Sequence, residues 1–130
     1  MVFVDSNVWI AYFNKNDKFH PNAIKSFSKI KTFETVYISS GIVFEVVNYL
    51  FKVCGKTESE RVLDFFLTNP AIDIVFISRI SWNETVNLFK ANELSLTDAQ
   101  IVACMLENND TNIYSFDRHF DNIKGIKRIF

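Results

Sequence analysis

Short apolar runs that alternate with longer helical patterns are the feature that most constrains the fold of this chain. The apolar runs are mostly continuous, without a polar residue at every second position, and lie at residues 2–4, 36–38, 72–77 and 113–116. Helical patterns lie at residues 6–13, 22–31, 41–53, 58–67, 82–91 and 97–107. Continuous apolar strands that alternate with helices are typical of a parallel sheet covered on both faces. We therefore predict an α/β fold, in which residues 126–130 add a short edge strand.

The length and composition predict one domain with a substantial core. The chain has 130 residues, of which 48% are hydrophobic, so we expect a single domain over residues 1–130. The formal net charge of −1 gives no overall positive field of the kind that drives tight binding to nucleic acid. An enzyme that meets phosphate through a bound metal ion stays compatible with this charge.

The cysteines and the N-terminus predict a cellular compartment. Cys54 and Cys104 do not form a CxxC pair, and we expect both to be buried free thiols in a reducing environment. The apolar N-terminus is interrupted by Asp5 and lacks a basic segment, which argues against a signal peptide, and no apolar run approaches the length of a membrane span. These features predict a cytoplasmic protein without a membrane segment.

Two aspartates stand at the ends of predicted strands. Asp5 follows the first strand and Asp117 follows the fourth. Ligands of open parallel sheets bind beyond the carboxyl ends of the strands, so both residues are candidates for a functional site. Each also has a simpler explanation, because Asp5 could cap the following helix and Asp117 could start a turn.

Glu45 lies in a helical segment that is apolar on nearly every side. We expect such a helix to be buried, and a carboxylate within it is costly unless it is paired or bound to a metal ion. The alternative places Glu45 on a narrow solvent-facing stripe with Asn48 and Lys52, three and seven residues further on.

Asp98 has two competing explanations. Ser95 and Asp98 are spaced like the two ends of a capping box, and an aspartate near a helix N-terminus is favoured by the helix dipole. Asp98 also shares a helix face with Ile101, Val102 and Met105, which points it toward the interior.

The strand ends and the apolar helices can bring these four acids together. Converging carboxylates repel one another, and both this repulsion and burial raise their pKa values unless a cation neutralises them. A site built only from carboxylate oxygens suits a hard divalent ion, Mg²⁺ or Mn²⁺, which can activate water against a phosphodiester. We therefore predict a metal site formed by Asp5, Glu45, Asp98 and Asp117.

Four short segments that contain these acids resemble those of a known family. The segments that carry the resemblance are Val-Asp-Ser-Asn at 4–7, Phe-Glu-Val at 44–46, Leu-Thr-Asp-Ala at 96–99 and Ser-Phe-Asp-Arg-His-Phe at 115–120. In this order and spacing they resemble the PIN-domain nucleases, and most closely the VapC-type toxin ribonucleases of toxin–antitoxin pairs. The resemblance implies a three-layer α/β/α sandwich with a short, mostly parallel sheet and an RNA-cleaving site that uses Mg²⁺ or Mn²⁺. It also implies an RNA substrate, a homodimer and an antitoxin protein as partner.

Four further residues are candidates for supporting the site or binding substrate. Asn7 could orient Asp5, or could bond to the backbone at the helix start. Ser115 stands where threonine is common in the family and retains the hydroxyl. Many relatives carry another acid just before the phenylalanine of the last motif, but His119 stands there in this chain and Asp121 follows two positions later. His119 and Asp121 are therefore candidates with surface roles as their alternatives.

The basic residues and the rival functions remain open at this stage. Basic residues cluster in a helical stripe and near the C-terminus, at Lys25, Lys29, Lys31, Lys124, Lys127 and Arg128. They could form solvated faces or contact RNA phosphates.

Two other families have acids at strand ends but do not match this sequence. A haloacid dehalogenase would need a second aspartate where Asn7 stands, and a signalling receiver domain would need an aspartate after the third strand. The alternative outside catalysis is an inactive PIN-like scaffold that binds RNA or protein, although a scaffold gains little from clustered carboxylates.

Overall fold

The order of the strands in the sheet fixes where a ligand site can form. A computed structural model describes residues 1–31 and 34–130. Its strands are β1 (Val2–Val4), β2 (Val36–Ser39), β3 (Ile72–Val75), β4 (Asn112–Tyr114) and β5 (Lys127–Ile129). They form one sheet in the order β3-β2-β1-β4-β5, and every neighbouring pair is parallel. The chain leaves β1 toward one edge and later returns to pair β4 on its other side, so the order reverses between β1 and β4.

In the described residues, 1–31 and 34–130, six α-helices and one 3₁₀ helix connect and flank these strands. The α-helices are α1 (Ser6–Phe13), α2 (His20–Lys29), α3 (Ser40–Cys54), α4 (Lys56–Thr68), α5 (Arg79–Ala91) and α6 (Leu96–Glu107). The 3₁₀ helix covers Arg118–Asn122. The parallel sheet and its flanking helices confirm the predicted α/β architecture, and residues 126–130 contain the expected edge strand.

The core lies between the central strands and the helices that pack on them. Phe3 and Val4 in β1 and Ile113 in β4 are fully buried, as the continuous apolar runs predicted. Aromatic rings join α1, α2 and α4, because Trp9 lies against Phe27 and Phe66 with ring centroids 4.6 and 5.0 Å apart. Burial of such large side chains dominates the stability of a domain of this size.

Several boundaries and one burial prediction differ from the sequence analysis. Helix α5 begins at Arg79 rather than near residue 82, because Ser78 and Ser81 form a reciprocal capping box. Strand β4 ends at Tyr114, two residues earlier than predicted. Cys104 is buried as expected, but Cys54 is exposed because it lies at the end of α3, beyond the part that packs on the core. Within the described parts of the chain, none of the helices combines the length and hydropathy needed to cross a bilayer.

Candidate functional site

The candidate site lies at the carboxyl ends of β1 and β4, where the strand order reverses. Asp5 follows β1 directly, and its backbone N–H donates to the carbonyl of Tyr114 at the end of β4, at 2.9 Å. Ser115 is the next residue along from Tyr114 and is fully buried. Crevices at such reversal points are the usual ligand sites of open parallel sheets. The position predicted for Asp5 is therefore the position that the fold favours for a ligand.

The carboxylate of Asp5 is buried and accepts hydrogen bonds from Ser6 and Ser115. It is 2% exposed. Its Oδ1 accepts from the backbone N–H of Ser6 at 2.7 Å, and its Oδ2 accepts from the Ser115 hydroxyl at 2.6 Å. Asp5 is thus the N-cap of α1, as the simpler explanation held, and this role fixes its orientation in the crevice.

Ser115 is a three-way hydrogen-bonding centre between β1 and β4. Its Oγ accepts from Asn7 Nδ2 at 3.3 Å and from the backbone N–H of Asp117 at 3.0 Å. With both lone pairs engaged, the hydroxyl proton is directed to Asp5. Asn7 Oδ1 also accepts from the backbone N–H of Phe116 at 3.2 Å. Asn7 therefore fixes the segment after β4 rather than bonding only to its own helix.

Burial dominates the electrostatics of Asp5. The pKa of Asp5 is raised from 3.8 to about 7, chiefly by loss of solvation, while the Ser115 hydroxyl and the Ser6 N–H oppose the rise. The negative charges of Asp98 and Glu45 contribute to the same rise. The structure thus brings these three acids within electrostatic reach of one another. A group that burial and like charge keep partly protonated near neutral pH is a mark of a functional site.

Glu45 lies on α3 and reaches the same crevice, but the expectation that it is buried is wrong. The residue is exposed. Only one stripe of α3 is buried, at Ile42, Val46 and Leu50, and Glu45 lies beside it. Partial burial of the carboxyl group still raises the pKa of Glu45, an interaction with Ser6 opposes this, and the charge of Asp98 adds to it.

Asp98 lies in the first turn of α6, and its side chain is also close to the other acids. Its backbone N–H donates to the Ser95 hydroxyl at 3.0 Å, so Ser95 caps α6. Its side chain is partly buried, and this burial raises the pKa of Asp98, with Ser95 opposing and the charge of Asp117 adding to the rise. Asp98 therefore links electrostatically to both strand-end acids.

A buried contact that the sequence analysis missed positions Glu45 and Asp98. The hydroxyl of Ser39, which caps α3, donates to Gln100 Oε1 on α6 at 2.9 Å. Helix α3 approaches so closely here that a Cβ atom on Gly41 would lie 2.4 Å from the same oxygen. The only sequence signal was a glutamine on the apolar side of α6. This contact sets the spacing of the two helices that carry Glu45 and Asp98.

Asp117 and His119 lie at the open end of the crevice. Asp117 Oδ1 accepts from the backbone N–H of His119 at 2.9 Å, which caps the 3₁₀ helix. The imidazole Nδ1 of His119 also lies 2.9 Å from that oxygen. Asp117 therefore starts a turn, as the simpler explanation predicted. It also lies close enough to Asp98 for its charge to raise the pKa of that residue.

Asp121 is engaged away from the acidic crevice. Its two carboxylate oxygens accept from Arg128 Nε and Nη2 at 2.7 and 3.0 Å, and the pKa of Asp121 is lowered by this arginine. Arg128 also donates from Nη1 to the backbone carbonyl of Ser115 at 3.2 Å. Its side chain is only 8% exposed, so Arg128 is not part of a solvated basic face. The pair instead braces the segment that follows β4.

The four carboxylates offer only oxygen donors, and their repulsion would be relieved by a cation. This donor chemistry fits Mg²⁺ or Mn²⁺. In residues 1–31 and 34–130, however, no three His, Cys, Asp or Glu side chains lie close enough together to form a ready-made metal cage. The four carboxylates are therefore close enough to influence one another electrostatically, but they do not form a preformed coordination shell.

Comparison with known proteins agrees with the fold. The family model described as PIN domain matches residues 2–126. A comparison with curated proteins finds no significant match.

Among solved structures, the chain is similar to VapC20 from Mycobacterium tuberculosis, described as a toxin that cleaves the sarcin–ricin loop. The identity is 21%, the TM-score is 0.82, and 91% of each chain is covered. It is also similar to a toxin–antitoxin complex from Klebsiella pneumoniae, at 20% identity and a TM-score of 0.75 over 98% of this chain and 96% of the other. A third is VapBC2 from Rickettsia felis, bound to a DNA fragment from its promoter, at 19% identity and a TM-score of 0.72 over 99% of this chain and 98% of the other. At these identities the likeness establishes the fold.

Proposed function

Because this chain belongs to the PIN-domain family, we propose that it is an endoribonuclease that depends on Mg²⁺ or Mn²⁺ and hydrolyses RNA phosphodiester bonds. The observation that carries the proposal is the buried Asp5, whose pKa is raised by burial and by the charges of Asp98 and Glu45. A structural carboxylate would be expected to gain a cationic partner, whereas this one faces other acids. Such an arrangement is stabilised when a cation binds it.

We assign the four acids different parts in holding the ion. Asp5 and Asp117 would hold the principal ion, with Glu45 and Asp98 as further ligands, directly or through water. When bound, a divalent ion lowers the pKa of a water molecule and stabilises charge that develops on the phosphate.

The supporting residues act on these ligands. Ser115 donates to Asp5 Oδ2 and so holds one oxygen in a fixed direction. Asn7 fixes Ser115 in turn. His119 lies against Asp117 at the open side, where it could contact substrate phosphate. In the family, an additional acid often stands at the position that His119 occupies in this chain. The other candidate acid, Asp121, is held by Arg128. Because neither position supplies a free carboxylate for a second ion, we favour one principal ion.

The experiment is cleavage of a structured RNA pool with Mn²⁺ and with a chelator. We expect wild-type protein to cleave with Mn²⁺ and to lose this activity in the chelator. Asp5→Asn retains the shape but lacks the charge, and we expect its rate to fall at least roughly 100-fold, about 2.7 kcal/mol of barrier. Asp73→Asn removes an exposed aspartate on β3 and is the matched control. Full activity in the chelator, or wild-type cleavage by folded Asp5→Asn, would contradict the proposal.

We extend the proposal to the toxin branch of the family. An antitoxin protein would be the partner, and the structures to which this chain is similar include toxin–antitoxin complexes. A short gene immediately upstream would support this assignment, and growth arrest on expression that is relieved by its product would test it. Absence of RNA cleavage together with tight binding of such a partner would favour the inactive scaffold.

We also propose that two copies of the chain associate, in the cytoplasm, as a homodimer. Large apolar side chains are exposed after β3 and at the start of α5, with Phe76 and Ile80 each 73% exposed. Exposed apolar surface of this kind is a common feature of protein interfaces. Sedimentation of the wild-type chain beside Ile80→Lys tests the dimer, and a monomeric wild-type chain would contradict it.

A further inference from the structure

Two phenylalanine rings stack at the edge of the acidic site. Phe116 lies between Ser115 and Asp117 in the chain, and its ring stacks on that of Phe19 with centroids 5.1 Å apart and planes inclined by 27°. Phe19 comes from the loop between α1 and α2 and is 41% exposed. We call this pair the Phe19–Phe116 platform. It is an aromatic surface one residue away from a proposed metal ligand.

The backbone holds both members of the platform in place. The N–H of Phe19 donates to Asp17 Oδ1 at 2.8 Å, and the N–H of Phe116 donates to Asn7 Oδ1 at 3.2 Å. Phe116 also packs against the hydrophobic core. A ligand that stacks here therefore meets a preorganised surface, which reduces the entropy that binding would cost.

Positive charge accompanies the rings. The ammonium of Lys18 lies 4.9 Å from the ring centroid of Phe19. Arg118 is exposed and directly follows Asp117. An aromatic face with adjacent cations is the combination by which proteins bind single-stranded nucleic acid, because bases stack on the ring while cations contact the phosphates.

We propose that the Phe19–Phe116 platform stacks an unpaired nucleobase of the RNA substrate beside the cleaved phosphodiester, with Lys18 contacting the adjacent phosphate. This inference rests on the proposed function and narrows its substrate to RNA with an unpaired nucleotide next to the cleaved bond. A base inside a duplex is already stacked and does not offer its face to the platform. Lys18 is exposed, so its ammonium can leave the ring of Phe19 when a base takes its place.

Several observations favour a nucleobase over a protein partner at this surface. The platform consists of two rings and adjoins the acidic crevice, whereas a protein interface has a wider buried apolar centre. Lys18 and Arg118 flank it, and they complement the charge of a phosphate backbone.

The test measures binding apart from cleavage. In the Asp5→Asn background with a chelator, a fluorescein-labelled single-stranded RNA is titrated and its anisotropy recorded. Because a base gains affinity by stacking on an aromatic side chain, Phe19→Leu is expected to weaken binding about tenfold, and Phe19→Trp to retain it. Phe89 on α5 is similarly exposed, at 47%, and Phe89→Leu is the control with no expected effect. For an oligomer of the same length that lacks its bases, Phe19→Leu is expected to cause no loss.

A spectroscopic signature separates stacking from a structural role. In the Phe19→Trp variant, RNA is expected to quench the tryptophan emission beyond the change seen in Phe89→Trp, and the oligomer without bases is expected not to. If Phe19→Leu and its parent bind RNA with equal affinity, the platform alone is overturned. The platform is also overturned if saturating RNA changes the emission of Phe19→Trp no more than that of Phe89→Trp. A parent that binds no RNA would overturn the platform, whereas the proposed function is contradicted by the cleavage experiment on the wild-type protein with Mn²⁺ and with a chelator.

Discussion

Replacing Asp5 by asparagine should stabilise the metal-free protein at neutral pH, although it removes a hydrogen-bonded group. In the folded chain the pKa of Asp5 is raised from 3.8 to about 7, chiefly by burial. The folded state therefore binds a proton that the unfolded state has released between these two pH values, and folding stability falls as the pH rises through this window. A rise in the pKa from 3.8 to about 7 corresponds to a loss of about 4 kcal/mol of folding free energy. This loss is complete once the pH exceeds the pKa of Asp5 in the folded protein.

Asparagine removes this pH dependence but introduces a constant cost. Asp5 accepts from both Ser6 and Ser115, and an amide can accept with only one of its two polar atoms. The lost hydrogen bond costs about 1–3 kcal/mol at every pH. We therefore compare the free energies of unfolding of Asp5→Asn and wild type. Between about pH 4 and pH 8, their difference should shift by up to about 4 kcal/mol in favour of Asp5→Asn, whatever the difference is at pH 4.

Urea unfolding in a chelator measures this quantity. The free energy of unfolding is recorded across the pH range for wild type, Asp5→Asn and Asp73→Asn, whose aspartate is exposed on β3. Asp73→Asn should follow wild type at all pH values. If Asp5→Asn also runs parallel to wild type, the raised pKa of Asp5 and the reasoning from its burial are refuted.

Three further predictions concern the supports of the site. Gly41→Ala should destabilise the protein by about 1–3 kcal/mol in urea unfolding, because its Cβ would displace the buried Gln100 oxygen, and this cost should vanish in a Gln100→Ala background. Arg128→Leu should cost about 1–3 kcal/mol by the same measurement and Asp121→Asn less, because only Arg128 also bonds to the Ser115 carbonyl; equal losses would contradict this bracing role. Added Mn²⁺ should raise the melting temperature of wild type more than that of Asp98→Asn, and equal shifts in thermal unfolding would remove Asp98 from the metal site.

The strand-end acids could be predicted from sequence because their positions follow from strand direction. A parallel sheet places the residues after each strand at one edge, so Asp5 and Asp117 needed only the recognition of short apolar strands. Their capping roles did not compete with the site, since capping is what orients both side chains.

The burial of Glu45 could not be predicted correctly, because α3 exposes many apolar residues. Phe44, Phe51 and Val53 are more than half exposed, and they made the helix look buried on every side. Apolar residues are not confined to protein interiors, so an apolar sequence does not by itself place a neighbouring glutamate.

Contacts between distant parts of the chain account for the other differences. Ser39 meets Gln100 across 61 residues, and neither residue carries a local pattern that predicts its partner. Arg128 looked like part of a basic surface, and only the pairing of β4 with β5 places it beside Asp121 and the Ser115 carbonyl.

The most direct test of the metal site is a crystal of the wild-type protein soaked with Mn²⁺ and measured for anomalous scattering at the manganese edge. The account predicts a peak in the crevice between Asp5, Glu45, Asp98 and Asp117, with carboxylate oxygens drawn to within metal–ligand distance. It also predicts no such peak in crystals of Asp5→Asn. A fully soaked wild-type crystal with no manganese at these carboxylates, or with the ion bound elsewhere, would contradict the account.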